Sequence, residues 1–228
     1  IMSALAQVNN EFAAQNASTE AAQAEAVPAK EEAKAEAEVE DELDALVEDL
    51  AADSLAQAEA DQEAALEEYK KANPLFAVLN PSVSPAGQPY QGPVVGTVHY
   101  TDTAKVMAML NSQVAKTVLP RELRLCWTVK AIDEAESFYQ LVALKSQTNG
   151  RPSLEGDVIT DARADFGQTS AYANVSMTMN AEGARDWQRI TRDNIGKSIA
   201  IVLDGYVYSF PTVQNEIAGG SSQITGNF

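Results

Sequence analysis

One histidine and one cysteine limit the chemistry open to this chain of 228 residues. His99 alone cannot build a three-histidine or Cys/His metal site, and the acidic residues show no recognisable ligand spacing. A Ser/His/Asp triad would have to use His99. That residue sits in a strand-like stretch, Val94 to Tyr100, and no G-x-S-x-G elbow presents a serine. It is expected to be a surface or partly packed strand histidine. Cys126, between Leu125 and Trp127, reads as a small buried hydrophobe rather than a nucleophile, and alone it closes no internal disulfide. The expectation is a non-enzyme with no catalytic, cofactor-binding or metal-ligating residues.

Other patterns resolve in the same direction. Acids recur every four residues at Glu32, Glu36, Glu40, Asp44 and Glu48. A calcium loop needs alternating oxygen ligands about a glycine turn, so this ladder reads as a solvated helix face. Gly219-Gly220 lacks the Lys-Ser/Thr and helix that follow a phosphate loop, and reads as a turn before the last strand. Arg185, Arg189 and Arg192 fall on neighbouring helix turns with Asp186 and Asp193 between them, the pattern of a charge-mixed solvated face. Trp187 shares an apolar face with Ala184 and Ile190. Tyr206, Tyr208 and Phe210 line one face of a strand and form either core or a hydrophobic docking surface.

The elements that must carry these residues divide by charge. The chain has 33 acids and 16 bases, a net charge of −17. Of these, 19 acids and 3 bases lie in residues 1–70, a surplus of 16 negative charges, which leaves a net −1 for the rest. No basic stripe exists to neutralise phosphates, which excludes nucleic-acid binding. With 45% apolar residues the chain can bury a core. No apolar run approaches a membrane span, and no charged-then-apolar leader opens the sequence. It begins at Ile1 rather than Met and is read as a piece of something longer.

Periodicity then sets the elements. Residues 13–68 are Ala/Glu-rich; Leu43, Leu46, Val47 and Leu50 keep helical spacing, as do Met2, Leu5, Val8 and Phe12 in a shorter first helix, with a break at Pro28. Residues 73–96 hold five prolines and three glycines and read as a linker. Beyond it, Asp102 or Thr103 caps a helix carrying Val106, Met109, Leu110 and Val114. Residues 123–132, 137–145 and 172–179 are strand-like; Ala184 to Thr191 mark a second helix; Asp204-Gly205 turns a hairpin between Ile199–Leu203 and Tyr206–Phe210. A last strand surrounds Ile224. The expected organisation is an acidic helical segment, 1–72, a linker, 73–96, and an α+β domain, 97–228. Its sheet is mainly antiparallel with helices on one face.

Several motifs in series go further. They are Leu154-Glu-Gly-Asp-Val-Ile-Thr-Asp-Ala162, the strand Val175-Ser-Met-Thr-Met179, Ala181-Glu-Gly-Ala184 and Thr191-Arg-Asp-Asn-Ile-Gly-Lys197. Ala200-Ile-Val-Leu-Asp-Gly-Tyr-Val-Tyr-Ser-Phe-Pro211, Ile217-Ala-Gly-Gly220 and Ile224-Thr-Gly-Asn-Phe228 complete the set. In that order they resemble the large periplasmic loop of SecD, the accessory membrane subunit of the bacterial Sec protein-export machinery, over residues 154–228.

That resemblance implies part of the first periplasmic domain of a SecD or fused SecDF protein, at the periplasmic face of the inner membrane. The family divides this domain into a base and a mobile head. It is thought to bind emerging preprotein chains and to help pull them outward with the proton gradient. The implied partners are unfolded preprotein chains and other Sec translocase subunits, with no cofactor. The Asp-Leu-x-Gly-Gly signature expected earlier in the family and its proton-carrying membrane residues are absent, and the acidic segment looks like a subgroup insertion. The family motifs report a fold, so the client-contacting residues stay unassigned. Client contacts are expected to be apolar, shallow and weak, and backbone pairing along an exposed strand edge is one sequence-blind way to make them. The alternative is a structural envelope domain that docks another membrane subunit without touching the client.

Overall fold

The computed structural model describes residues 1–24, 62–147, 150–166 and 173–226. The acidic ladder, the Leu43–Leu50 stripe and the break at Pro28 lie outside them. Two units are resolved, one comprising Ala6–Ala77 and the other Ile1–Leu5 with Val78–Phe228.

Helix α1 runs through Met2–Ala24, from Ala6 onward in the first unit, and is longer than the apolar spacing up to Phe12 implies, because the Ala-rich stretch after it carries no breaker. A second helix, α2, covers 62–72. Asn9 is buried and joins the two ends of this unit. Its Nδ2 donates to Asn73 Oδ1 at 3.1 Å, and its Oδ1 accepts from the backbone N–H of Leu75 at 3.1 Å. Val8 and Leu75 are fully buried beside this polar clasp.

The larger unit is α+β, and its strand ladders are all antiparallel. A four-stranded sheet has the order β1-β2-β4-β3, from Asn80–Pro81, Val94–His99, Phe138–Lys145 and Leu123–Trp127. Leu141 and Val142 are consecutive on β4 and both fully buried, so both faces of this sheet are covered. The proline-rich stretch is thus not free of structure: Pro81 pairs with Gly96 on the sheet edge, where a missing N–H costs nothing.

The helix expected after Asp102 is two helices. α3 spans Thr103–Leu110 and α4 spans Gln113–Val118. Ser112 causes the break, since its hydroxyl accepts from the Ala115 N–H at 3.2 Å and caps a new helix. Likewise β3 ends at Trp127, five residues short of the expected strand. Thr128 turns the chain there, its Oγ1 donating to Lys130 O and accepting from Gln140 N.

A three-stranded sheet, β5-β6-β9, uses Ile159–Phe166, Ala173–Met179 and Ser221–Gly226. Between β6 and β9 lie helix α5, Ala181–Asp193, and the hairpin β7–β8, Ile201–Leu203 and Tyr206–Ser209. Asn180 caps α5 by accepting from Gly183 N at 2.8 Å. At the other end Asn194 donates to Ile190 O at 2.8 Å, and Gly196 takes φ 78° as the helix closes.

An exposed apolar strip as the candidate functional site

The hairpin turn places Asp204 at φ 51° and Gly205 at φ 84°, the pair of left-handed residues that a two-residue turn requires. In the register this sets, Leu203 faces Tyr206 and Val202 faces Val207. Val207 is buried at 1% exposure. Leu203 and Tyr206, on the opposite face, are 54% and 50% exposed, and Tyr208 is 43% exposed. Of the two readings that the sequence leaves for these tyrosines, the structure selects the surface one.

Backbone hydrogen bonds continue this surface away from the hairpin. Val129 N donates to Val207 O at 2.9 Å, Ile132 N to Phe138 O at 2.8 Å, and Tyr100 N to Ser137 O at 2.9 Å. Val129, Ile132, Phe138 and Tyr100 are all exposed. Exposed large apolar side chains thus recur from Leu203 to Tyr100 on segments joined by backbone hydrogen bonds, a strip whose ring contacts are those of His99 with Tyr100 and Phe138.

Asp133 holds the middle of the strip. Its carboxylate accepts from Phe138 N at 2.8 Å and from Ser137 N at 3.0 Å, and Glu136 takes φ 53° to close the loop. The Phe138 N–H chiefly holds the Asp133 carboxyl below the usual carboxylate range; desolvation opposes it, and the Ser137 N–H adds a lesser lowering. The sequence carries no local signal for this loop, because Asp133 bonds the backbone four and five residues on, beyond the two-residue reach of an Asx turn.

His99 borders the strip. Its ring lies 4.6 Å from Tyr100 and 5.4 Å, edge-on, from Phe138, and its Nδ1 is 2.8 Å from Thr101 Oγ1. Thr101 Oγ1 in turn donates to Asp102 Oδ2 at 3.4 Å. The hydroxyl thus stands between the imidazole and the carboxylate, whereas a triad sets the carboxylate on the imidazole. Cys126 is half-buried on β3, where desolvation pushes its thiol pKa up and Arg124 opposes less strongly. The cavity bordered by Met2, Ser82, Pro89, Tyr90 and Val95 presents no carboxylate, imidazole, thiol or amine side chain. Among the described residues no cluster of His, Cys, Asp and Glu has metal-site geometry, and no helix is long and apolar enough to cross a membrane.

The motif residues lie beside the strip's support. A Cβ on Gly183 would fall 2.6 Å from Val158 Cβ, so only glycine lets α5 approach the start of β5. Gly220 approaches Ala184 in the same way, and its carbonyl accepts from Met179 N at 2.8 Å. Thr191 is fully buried; its hydroxyl donates to Trp187 O at 2.8 Å and accepts from Ile217 N at 3.0 Å. Arg189 pairs with Asp186 at 2.9 Å on the solvated face of α5.

An antiparallel sheet braced by one helix, with an exposed apolar hairpin, defines an α+β module. Residues 134–228 match the family described as SecDF, P1 head subdomain, and the chain accordingly carries a SecD/SecDF head domain. Protein translocase subunit SecD from Rhodothermus marinus is 41% identical over 157 residues, covering 68% of this chain and 23% of the relative. Protein translocase subunit SecDF from Thermus thermophilus is 45% identical over 83 residues, covering 36% and 11%. A solved structure of the translocon-associated membrane protein SecDF from Thermus thermophilus is 47% identical and covers 33% of this chain and 10% of its own, with a TM-score of 0.30. The likeness therefore rests on sequence rather than superposed shape. The chain spans under a quarter of the length of these relatives.

Proposed function

We propose that this chain is the client-binding head of a SecD-type export subunit, acting on the periplasmic side of the inner membrane. The observation that carries the reading is the exposed strip from Leu203 to Tyr100. Relatives that are protein translocase subunits give that strip a class of ligand, an unfolded chain in transit. Such a chain offers apolar side chains that a folded protein hides, and a shallow apolar strip meets many sequences without selecting one. The parent protein would supply the membrane spans, the coupling to the proton gradient and the contacts with other translocase subunits. No step of this role requires a catalytic group, cofactor or metal.

Weak binding suits the task, because release is part of it. A dissociation constant of roughly 10 μM to 1 mM, about −7 to −4 kcal/mol, is expected. A reduced, unfolded secretory protein and its folded form, titrated against the isotope-labelled chain by NMR, test this. Shifts at the strip with the unfolded form alone support the reading. Equal shifts with both forms, or none at millimolar concentration, overturn it in favour of a surface that docks another membrane subunit.

A further inference from the structure

We propose that the free edge of β5 accepts an extended client segment as an added strand of the three-stranded sheet. This rests on the client-binding reading above and names a second mode of contact, distinct from the apolar strip.

The sheet has two chemically different faces. Residues paired directly across antiparallel strands share a face. Ala162 pairs with Met177, which pairs with Ser222; Ala164 pairs with Val175, which pairs with Ile224. The opposite face carries Asp161, Arg163, Ser176, Thr178, Ser221 and Gln223. On the first face, Ser222 and Ile224 are buried at 7% and 6%, Val175 and Met177 are half-buried, and Ala162 and Ala164 are exposed. Cover is complete at β9 and gone at β5.

Residues 160–164 are exposed on both faces, so β5 is an edge strand that no element among the described residues covers. It has eight residues and contains neither proline nor glycine. Beyond the register shift at Ile159–Asp161, its outward N–H and C=O groups from Asp161 to Phe166 form a row about 20 Å long, at about 3.3 Å per residue. The charges that ordinarily blunt such an edge offset each other here, since Arg163 Nε lies 2.9 Å from Asp161 Oδ2. The β9 edge is a poorer acceptor, because a strand laid there would have to enter the cover that buries Ser222 and Ile224.

The guest follows from this geometry. Its backbone pairs with β5 whatever its sequence. Its alternate side chains fall beside Ala162 and Ala164, where small residues leave room for apolar ones, and the others fall beside Asp161 and Arg163. Asp161 and Arg163 offset each other on that register, so polar residues of either sign are accepted there. The occupant is an extended segment alternating apolar with polar residues.

The test uses the full 228-residue chain and four octapeptides. The first alternates Val with Thr and Lys; the second has the same residues in block order; the third and fourth are the alternating peptide N-methylated on one register or the other. Binding is followed by backbone NMR and amide exchange. The alternating peptide should slow exchange at β5 and bind about tenfold tighter than the block peptide, roughly the worth of one net hydrogen bond. One methylation register should abolish binding while the other leaves it. Ala162→Asp should weaken the alternating peptide with an unchanged melting temperature, and Tyr206→Ser should not. If the unfolded secretory protein binds but peptide shifts map to the strip, or no octapeptide binds, strand addition is overturned and client binding stands. If neither peptide nor unfolded protein binds at millimolar concentration, both fall.

Discussion

At the residue scale, the family motifs are instructions for packing. Gly183 stands where a methyl group would meet Val158 Cβ at 2.6 Å, inside van der Waals contact with an atom that cannot rotate away. Gly183→Ala should therefore destabilise the domain by about 1–3 kcal/mol in denaturant melts, the usual cost of overpacking. Thr191→Val keeps the shape but leaves the half-buried Ile217 N–H without its 3.0 Å acceptor. It should cost a similar amount, ~1–3 kcal/mol. Asp133 gives a pH signature. Its pKa is depressed in the folded protein, so its contribution is fully present above the unfolded value near about pH 4 and disappears as pH falls through the folded value. The difference in melting temperature between the native chain and Asp133→Ala should be constant above that pH and shrink below it. A constant difference down to strongly acidic pH would show that the two N–H bonds do not set the loop's stability. The sequence showed Gly183 and Thr191 as motif letters but not their partners, because Val158 and Ile217 reach them only through tertiary packing.

At the element scale, local chemistry was legible where one or two residues decide the structure. Asp204-Gly205 announces its hairpin, and the Val175–Met179 alternation its strand. Legibility failed where two local signals compete. Val106 to Val114 keep helical spacing through Ser112, yet the hydroxyl of Ser112 caps a new helix and the periodic stretch breaks in two. It failed again where periodicity cannot say what lies above a face. Tyr206 and Tyr208 alternate with Val207 as any amphipathic strand does, and the structure buries Val207 and leaves the tyrosines in water. The candidate site was accordingly half visible: its hairpin end could be named from sequence, its Ile132–Phe138 end could not. Replacing both Tyr206 and Tyr208 by Ser should change stability little, since both are exposed, and should weaken unfolded-chain binding at least threefold by NMR titration, on the order of 0.65 kcal/mol. Unaltered affinity in a folded double variant would remove the hairpin from the site.

At the scale of the whole molecule, charge and fold are partitioned together. The unit of Ala6–Ala77 holds most of the negative charge, and the sheets belong to the other unit. We propose that the sheet-bearing part folds by itself. A chain starting at Val78, which also lacks the Ile1–Leu5 stretch of this unit, should retain β-rich circular dichroism and one cooperative thermal transition, and a broad, non-cooperative melt would make residues 1–77 part of its core. The acidic segment should also discriminate among clients by charge. Removing it should tighten binding of acidic unfolded chains at low salt, and the gain should fade as the screening length drops below about 10 Å near 0.1 M salt.

The central claim is that one particular surface meets unfolded chains and spares folded ones. Site-specific photo-crosslinking tests it most directly, with a benzophenone side chain at Tyr206, at Phe138 or, as control, at Arg189 on the solvated face of α5. Each variant is irradiated with the same secretory protein, once reduced and unfolded and once folded. The account predicts adducts from Tyr206 and Phe138 with the unfolded form, few with the folded form, and few from Arg189 with either. Equal yields from all three positions, or from both forms, would contradict it.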